Sequence, residues 1–388
     1  MDDAVILAAV RTAVARVGGA LREVPVERLG AAVVAEALRR AGAEAGEVED
    51  VILGNVLGGG GNLARLVGLE AGLPVEVPGM TVDRQCGSGL QALCLASDRV
   101  AAGGGEVIVA GGAESMTRAP FLMERPGAAY PRTPPRFLRF QLAPDRVGNP
   151  SMGTTAENVA KKFGVSREDQ DRFALQSHQR ACAAIAEGRF REQILPVPVP
   201  AGRGEQVAFA IDEHPRPDTS FEKLGRLQPA FEAGGTVTAG NASGVNDGAA
   251  ALVVTSGRRA AAASVRPLGR VVAWAVAGVD PNLMGLGPIP AVPKALRRAG
   301  LTLDQIDLIE CNEAFASQSL ACIRELGMDP ERVNVNGGAI ALGHPLGATG
   351  AILTVKLLAE LSRRGARYGL VTACIGGGQG IAAVVERI

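Results

Sequence analysis

The chain has 388 residues, and its 40 Lys plus Arg balance its 40 Asp plus Glu, so the formal net charge at pH 7 is zero. This balance argues against a surface field built to attract nucleic acid or an anionic membrane. The length allows two or three domains, and a hydrophobic fraction of 47% allows a substantial core.

The first segment, MDDAVILAAVRTAVARVGG, begins with acids and has no basic flank. It predicts a strand followed by a loop rather than a signal peptide. No apolar run in the chain approaches the roughly 20 residues that cross a bilayer. The six cysteines are scattered and form neither a C-x-x-C pair nor a zinc-ligand pattern. Reduced thiols and a cytoplasmic location are therefore expected.

The next elements occur twice along the chain. ALRRAGAEAGEVEDVILGN (37–55) and ALRRAGLTLDQIDLIECN (295–312) share their first six residues. Each predicts the end of a helix, closed by Gly42 or Gly300, and then an acidic loop and an apolar strand. Both copies continue with a strand (GMTVD or RVNVN), a glycine turn, a helix and a further strand (EVIVAGG or YGLVTACIGGG). The sequence therefore predicts an internally duplicated α/β unit.

A stretch of different character separates the two copies. Residues 119–242 are first rich in Pro, Arg and Phe, then contain predicted helices, and a Pro-rich run follows those helices. A long insertion of this kind is usually a lid or a binding loop. The run GAAALVVTS (248–256) predicts a strand that returns to the first half. The expected organisation is an N-terminal half over 1–118 completed by 243–265, an inserted loop domain over 119–242, and a C-terminal half over 266–388.

Two glycine turns carry candidate catalytic side chains. Aligning the halves places Cys86, in DRQCGSG, and His344, in GHPLGATG, at equivalent points just before a helix. A helix N-terminus favours an anion, and a thiol beside an imidazole there is expected to have a lowered pKa and to act as a nucleophile. The alternatives are a small buried hydrophobe for Cys86 and a structural turn residue for His344.

A third glycine turn, TACIGGGQG, follows another predicted strand. Its open backbone N–H groups suit an oxyanion hole, with a phosphate-binding turn as the alternative. The GK[ST] ending of a P-loop is missing, and a strand rather than a helix follows, which also argues against a dinucleotide fingerprint. Cys374 is either a second catalytic thiol or a packing residue. Asn312 and Glu313 lie at a predicted strand end, where ligands bind in α/β sheets, although Asn312 would also suit a helix N-cap.

The motifs together resemble those of the thiolases. DRQCGSGLQA, GGAESMT, TAGNASGVNDGAA, NEAFA, GGAIALGHPLGATG and CIGGGQG occur in this order, and the resemblance runs from the first strand to the last residue. It implies a duplicated five-layer α/β/α/β/α fold with an inserted loop domain. It also implies an acetyl-CoA acyltransferase that joins acetyl-CoA to an acyl-CoA or cleaves a 3-ketoacyl-CoA with coenzyme A. The family is usually dimeric or tetrameric, so a homo-oligomer is expected.

The resemblance also implies roles for individual residues. Cys86 matches the nucleophile that carries the acyl group as a thioester, and Cys374 matches the acid/base that moves the α-proton. His344 matches the residue that activates the nucleophile and, with Asn312 through a water, forms one oxyanion hole. The N–H groups of Cys86 and Gly376 match the second oxyanion hole. The motif glutamate, Glu313, is expected to help orient the site.

The remaining implied positions bind coenzyme A, which is a substrate; no metal or redox cofactor is expected. These positions line the pantetheine or approach the nucleotide: Ser243, Arg216, Ala239, Phe231, Met152, Ala314 and Phe315. One departure concerns chain length, because short-chain members often carry a histidine where this chain has Ser151. Acetyl-CoA C-acetyltransferase is the favoured function, and a longer-chain 3-ketoacyl-CoA thiolase of β-oxidation stays open.

Three other interpretations compete with this one. A decarboxylating condensing enzyme would lack the cysteine of the last turn, and Cys374 is present. A non-catalytic acyl-CoA- or lipid-binding protein would be expected to have lost one of Cys86, His344 and Cys374, and none is lost. A regulatory disulfide between the two candidate thiols is the third, since neighbouring reactive thiols can oxidise.

Overall fold

The structure is a computed structural model that describes residues 3–58, 60–130, 133–202, 204–262 and 265–388. The first two residues of the predicted N-terminal segment, and residues 131–132 and 203 of the predicted insertion, lie outside the described residues. The strands are β1 Ala4–Thr12, β2 Ala15–Arg16, β3 Asp50–Gly54, β4 Gly79–Val82, β5 Val107–Ser115, β6 Ile194–Leu195, β7 Val197–Gly202, β8 Glu205–Phe209, β9 Asn246–Ser256, β10 Gly269–Gly278, β11 Leu308–Cys311, β12 Tyr368–Ile375 and β13 Gln379–Arg387.

Helices alternate with these strands in both halves. They are α1 Val26–Ala41, α2 Leu63–Glu70, α3 Ser88–Ala101, α4 Met152–Phe163, α5 Arg167–Ala186, α6 Phe221–Gly225, α7 Gly257–Ala262, α8 Pro288–Ala299, α9 Ala316–Leu326, α10 Ala339–Leu342 and α11 Leu346–Arg364. Short 3₁₀ turns lie at Ala45–Glu47, Pro281–Leu286 and Leu303–Gln305.

The strands form two similar sheets that meet at one pairing. The first has the order β1-β9-β5-β3-β4 and the second the order β11-β12-β13-β10, and Ile6 of β1 opposite Gly269 of β10 joins them. Each sheet contains a parallel pair followed by an antiparallel return: β3 with β5 and then β9, or β11 with β12 and then β13. The first sheet has a further parallel pair, β3 with β4. The duplication predicted from the sequence is therefore present in the strand topology.

Three helical layers enclose the two sheets. Helices α3 and α11 lie between them, and their apolar residues share one core cluster with β1, β5, β9, β12 and β13. Helices α1 and α2 cover the outer face of the first sheet, and α8 and α9 pack on the outer face of the second. The result is the expected α/β/α/β/α layering. Because apolar residues on both sheet faces are covered, most strands of the two sheets are buried along nearly their whole length, whereas β4 and β10 are largely half-buried.

One predicted strand does not form. RVNVN was expected to match β4, which pairs in parallel with β3 over four residues, but its only pairing is a single bridge from Val333 to Ile309. Asn334 has a φ of +46°, outside the β region, and its side chain bonds the backbone of Cys311 on both sides, at 2.9 and 2.8 Å. Hydrogen bonds from the Asn334 side chain therefore replace the backbone hydrogen bonds that a strand would form here.

The part of the chain between the halves extends from the first sheet. After β5 comes an irregular arm, followed by the two helices α4 and α5 and the β7–β8 hairpin. The chain returns as β9, which pairs with both β1 and β5 in the middle of the first sheet. The predicted returning strand is therefore confirmed. No helix within the described ranges is long and apolar enough to cross a membrane.

Candidate active site

The Cys86 turn connects β4 to α3 through bonds between near neighbours. Ser88 Oγ accepts the N–H of Arg84 at 2.8 Å and donates to the carbonyl of Gln85 at 2.6 Å, while Asp83 accepts the N–H of Gln85 at 2.8 Å. Gln85 is held at a φ of +45°, the left-handed region that side chains rarely adopt. The turn places Cys86 two residues before α3, as the sequence predicted.

The Cys86 thiol faces the third glycine turn. Gly87 allows this approach, because a Cβ there would lie 2.7 Å from Cδ1 of Ile375. The backbone N–H groups of Gly376 and of Cys86 itself hydrogen-bond the sulfur and favour its charged form. These are the two amides that the resemblance assigns to an oxyanion hole, and they converge on one atom.

The lowered pKa expected for Cys86 is wrong. Burial raises the pKa of the thiol to about 11, and the carboxylates of Glu114 and Asp83 act in the same direction against the two amides. The imidazole of His344 does not supply the positive charge that a lowered pKa requires, because burial lowers its own pKa to about 4. The free site therefore holds a neutral thiol and a neutral imidazole at pH 7.

Cys374 lies at the end of β12, in an apolar pocket beside Cys86. It is fully buried, and burial raises its pKa well above the ordinary thiol value, with the nearby thiols of Cys86, Cys322 and Cys311 adding to the effect. Both candidate catalytic cysteines are free thiols. A buried proton donor and acceptor next to the candidate nucleophile is an arrangement that can transfer protons without water.

The His344 turn is built by residues distant in sequence. Gly343, at a φ of +101°, leaves no room for a Cβ against the side chain of Asn246. The backbone N–H of His344 donates to Oδ1 of Asn246 at 2.9 Å. Helix α11 begins two residues later, so His344 has the position in its half that Cys86 has in the other.

Hydrogen bonds define which nitrogen of His344 carries the proton. The hydroxyl of Thr349 donates to the carbonyl of Pro345 at 2.9 Å, so its oxygen accepts from Nδ1 of His344 at 2.7 Å. Nδ1 then carries the hydrogen of the neutral ring, and Nε2 is left as an acceptor. Nε2 lies 3.4 Å from Nδ2 of Asn312, an amide nitrogen that only donates. His344 is thus oriented as a base at Nε2.

Asn312 is held at the end of β11 by its backbone. Its N–H donates to the carbonyl of Thr372 on β12 at 2.9 Å, and the residue is fully buried. Its Oδ1 has no hydrogen-bond partner among the described residues. Helix α9 begins later, at Ala316, with Phe315 as its N-cap, so Asn312 is not a cap. A buried acceptor without a partner beside the candidate base suits a water or ligand donor.

Glu313 supports the loop before His344 rather than facing the thiols. Its carboxylate accepts from Ser177 Oγ at 2.7 Å, from Asn334 Nδ2 at 2.8 Å and from the N–H of Ile340 at 3.2 Å. Gly338 has no room for a Cβ against this carboxylate. Burial raises the pKa of Glu313. The geometry suits the expected orienting role.

The predicted coenzyme A residues fall into two groups. Met152, Ala314 and Phe315 share a buried apolar cluster with Cys374, and the Phe231 ring packs edge-on against Phe315 at 6.0 Å. The other three, Ser243, Ala239 and Arg216, lie on loops outside this cluster. Ser243 N–H donates to the carbonyl of Ala314 at 2.9 Å, Ala239 is exposed on the turn before it, and Arg216 is exposed beside His178. The structure thus gathers four of the seven around Cys374.

Three residues that complete the site were not anticipated from the sequence: Asn246, Thr349 and Glu114. Asn246 and Thr349 lie inside the quoted motifs TAGNASGVNDGAA and GHPLGATG, yet their spacing alone does not show that both bind His344. Glu114, in GGAESMT, accepts the N–H of Gly347 at 2.9 Å and those of Val56 and Leu57, and so ties the two halves together at the start of α11. In the sequence, these residues could have been found only because they lie inside the quoted motifs.

No three His, Cys, Asp or Glu side chains within the described ranges are grouped so as to hold a metal ion. The polar groups around Cys86 and His344 are amides, hydroxyls, thiols and one imidazole, with the carboxylates of Asp83 and Glu114 farther out. Such groups can move protons and stabilise an oxyanion formed on a thioester.

Comparison with known proteins agrees with this geometry along the whole chain. Residues 4–258 match the family description "Thiolase, N-terminal domain", and residues 265–387 match "Thiolase, C-terminal domain". A relative from Pseudomonas aeruginosa, "Acetyl-CoA acetyltransferase", is 52% identical over 100% of both chains. "Beta-ketothiolase BktB" of Cupriavidus necator is 48% identical over 100% of this chain and 99% of its own.

A solved structure has the same fold. The "Crystal structure of the Bacillus anthracis acetyl-CoA acetyltransferase" superposes with a TM-score of 0.95 at 45% identity, over 100% of this chain and 99% of the other. Fold, full-length sequence similarity and both family matches agree, and the chain belongs to the thiolase family of acyltransferases.

Proposed function

We propose that this thiolase is an acetyl-CoA C-acetyltransferase that forms acetoacetyl-CoA from two acetyl-CoA molecules and runs the reverse thiolysis. One observation carries the proposal: the sulfur of Cys86 meets the N–H of Gly376 with the Cys374 thiol beside it. A nucleophile, an anion-stabilising amide and a second proton carrier at one point are what thioester exchange and α-proton transfer require.

The first half-reaction acetylates Cys86. Nε2 of His344 takes the thiol proton, and the sulfur bonds to the carbonyl carbon of acetyl-CoA, whose oxygen becomes an oxyanion on the N–H groups of Cys86 and Gly376. The bond to the coenzyme A sulfur then breaks, and that thiolate takes the proton of Cys374. Acetyl-Cys86, a Cys374 thiolate and a His344 imidazolium result.

The second half-reaction forms the carbon–carbon bond. The Cys374 thiolate takes the α-proton of a second acetyl-CoA, and the enolate oxygen is stabilised by Nε2–H of His344 and a water held by Asn312. The enolate carbon attacks acetyl-Cys86 and the thioester bond breaks. The Cys86 thiolate recovers its proton from His344, so every group returns to the neutral state of the free site. Side chains supply all the acid, base and nucleophile chemistry, and we propose that no metal or redox cofactor takes part.

A second candidate is thiolysis of longer 3-ketoacyl-CoA substrates. Ser151, which occupies the position of the short-chain histidine, caps α4 by accepting the N–H of Thr154 at 3.2 Å. A capping serine leaves more space at the start of α4 than an imidazole. The apolar cluster around Cys374, which includes Met152, Val237 and Met284, could accept additional methylene groups. The similarity to a protein named as a β-ketothiolase also favours this candidate.

The test measures coenzyme A-dependent cleavage of acetoacetyl-CoA beside a medium-chain 3-ketoacyl-CoA. Preference for the four-carbon substrate supports the acetyltransferase, and comparable or faster cleavage of the longer chain supports the second candidate. Cys86→Ala must abolish both activities, whereas Cys182→Ala, a half-buried thiol on α5, must leave both unchanged. Cleavage of neither substrate, or an active Cys86→Ala enzyme, would favour a non-catalytic acyl-CoA-binding protein.

The proposed domain limits remain 1–118 with 243–265, 119–242 and 266–388. The pairing of β9 with β1 and β5 supports the return of the chain to the first half. The separate family matches, over 4–258 and 265–387, support a division near residue 265. Expression of 266–388 alone, followed by circular dichroism, tests whether the second half folds independently.

We further propose a homo-oligomer in the cytoplasm. The arm after β5 exposes large apolar side chains that water does not favour: Phe121 is 87% exposed and Phe137 71%, with the two rings 5.6 Å apart. A second copy of the chain would cover them. Light scattering during size exclusion should give a molecular mass that is a multiple of 39.8 kDa. The double variant Phe121→Ser/Phe137→Ser should have a lower molecular mass in the same measurement.

A further inference from the structure

Asn246 occupies the point at which the His344 turn meets the rest of the molecule. It is fully buried at the start of β9, and its two amide atoms have different partners. Oδ1 accepts the N–H of His344 at 2.9 Å, and Nδ2 donates to the carbonyl of Ala15 at 3.0 Å. A backbone donor on one side and a carbonyl on the other fix the orientation of the amide.

A second histidine contacts the same amide. Nδ1 of His214 lies 3.4 Å from Nδ2 of Asn246, and because an amide nitrogen only donates, Nδ1 is the acceptor. Gly244 makes room for this contact, since a Cβ there would lie 2.3 Å from Cε1 of His214. His214 belongs to the segment 212–216, whose last residue is the predicted coenzyme A residue Arg216.

The segment 212–216 is itself fixed to the first half. The carboxylate of Asp212 forms a buried ion pair with Arg11 at 2.7 Å and accepts the N–H of Val14 at 2.8 Å. At its other end, the N–H of Arg216 donates to Nδ1 of His178 at 3.2 Å. All three histidines of the chain therefore lie along one connected set of contacts that starts at the candidate base.

We propose that Asn246 is a positioning residue that fixes the main chain of His344, and that His214 connects this support to the coenzyme A segment 212–216. The proposal rests on the proposed function, because it takes His344 as the base and Arg216 as a coenzyme A contact. Removing the acceptor for the His344 N–H frees the Gly343 turn and moves Nε2 relative to Cys86. A misplacement of about 1 Å in such a group costs about 100-fold in rate.

Two pairs of variants test the proposal. Asn246→Leu has a similar volume but neither amide atom, whereas Asn246→Asp keeps the acceptor for His344. His214→Leu removes the acceptor for Asn246, whereas His214→Asn keeps an oxygen at the position of Nδ1. As a matched control, Asn336→Leu removes a buried amide that bonds Arg189 and Glu360 and contacts neither His344 nor the coenzyme A residues. His344→Ala serves as the reference for the base.

The measurements are kcat and KM for coenzyme A in acetoacetyl-CoA thiolysis, and the rate of Cys86 acetylation followed by mass spectrometry. Asn246→Leu should lower kcat and the acetylation rate about 50-fold with little change in KM, and Asn246→Asp less than 10-fold. His214→Leu should raise KM about fivefold and lower kcat about fivefold, with His214→Asn close to the parent enzyme. Asn336→Leu should lower thermal stability while leaving kcat per folded enzyme unchanged.

The outcomes separate this proposal from the proposed function. If His344→Ala loses activity but folded Asn246→Leu stays within twofold of the parent, the positioning role is overturned and the function stands. If the two His214 variants behave alike, the connection to the coenzyme A segment is overturned. If Asn246→Leu does not fold, Asn246→Ala, which also lacks the acceptor, decides: a loss of kcat beyond that of Asn336→Leu at unchanged KM supports the proposal, and a parent-like kcat overturns it. An active His344→Ala enzyme would overturn the function itself, and with it the proposal.

Discussion

The Cys86 turn and the His344 turn occupy equivalent places in the two halves but are held in different ways. Both lie two residues before a central helix, α3 or α11. The bonds that shape the Cys86 turn join residues two to four positions apart. The His344 backbone instead depends on Asn246, which is 98 residues away, and the start of α11 depends on Glu114, which is 233 residues from Gly347.

This difference means that the two turns depend on different parts of the chain for their conformation. A turn closed by its own neighbours forms wherever its short sequence occurs, so the nucleophile is placed locally. A turn held by distant side chains is correct only when both halves have assembled. The geometry of the base therefore depends on residues far from it in sequence.

The largest expected effect compares the two turns directly. Cys86→Ala removes the atom that carries the acyl group, so turnover should fall by at least about 10⁴-fold. His344→Ala leaves the nucleophile and both backbone amides, so a residual activity above that of Cys86→Ala should remain. Steady-state thiolysis, with acetyl-enzyme detected by intact-protein mass spectrometry, measures both. Equal residual rates for the two variants would show that the histidine is as indispensable as the thiol.

The next effect tests the proton arrangement of His344. Thr349→Val keeps the shape of the side chain but removes the acceptor for Nδ1–H, so the ring loses its fixed tautomer. We expect kcat to fall about 10- to 100-fold with KM changed less than threefold. Thr349→Ser restores an oxygen and should recover most of the activity. Failure of the serine variant to recover would mean that the methyl packing, not the hydroxyl, is what matters.

The same contrast explains what the sequence could predict. The helix starts after Cys86 and His344, the glycine turns and the returning strand β9 follow from short patterns, and they are confirmed. The RVNVN strand and the lowered pKa of Cys86 were wrong. Strand formation at Val333 and burial of a thiol both depend on residues that arrive from other parts of the chain. The contact of Asn246 with His344 could not be predicted for the same reason, whereas Thr349 lies in the same motif as His344 and only its side-chain direction was unknown.

An intermediate effect concerns acid stability. Burial lowers the pKa of His344 and of His178 to about 4, below the unfolded value of 6.5. The unfolded chain therefore binds more protons between pH 6.5 and 4, and stability falls as the pH falls through this window. Within this window, each of these histidines lowers the free energy of unfolding by about 1.4 kcal/mol for each pH unit of acidification. Urea unfolding at pH 7, 6 and 5 measures the loss, and His178→Gln should make the decline shallower. A decline that is equally steep in this variant would assign it to other groups.

The smallest effect probes the local strain of the Cys86 turn. Gln85 has a φ of +45°, which costs a non-glycine residue about 1–2 kcal/mol. Gln85→Gly removes this cost but adds backbone entropy to the unfolded chain, about 0.5–1 kcal/mol, and loses the side-chain bond to Asp83. The free energy of unfolding should therefore change by less than about 1 kcal/mol. Gln85→Val, branched at Cβ, should destabilise the fold by about 2 kcal/mol, because branched side chains fit this region worst. Urea titration of the parent, Gln85→Gly and Gln85→Val proteins ranks them by their free energy of unfolding. If valine is tolerated as well as glycine, the turn relaxes to another conformation, and the view that its short-range bonds fix the backbone around Cys86 is wrong.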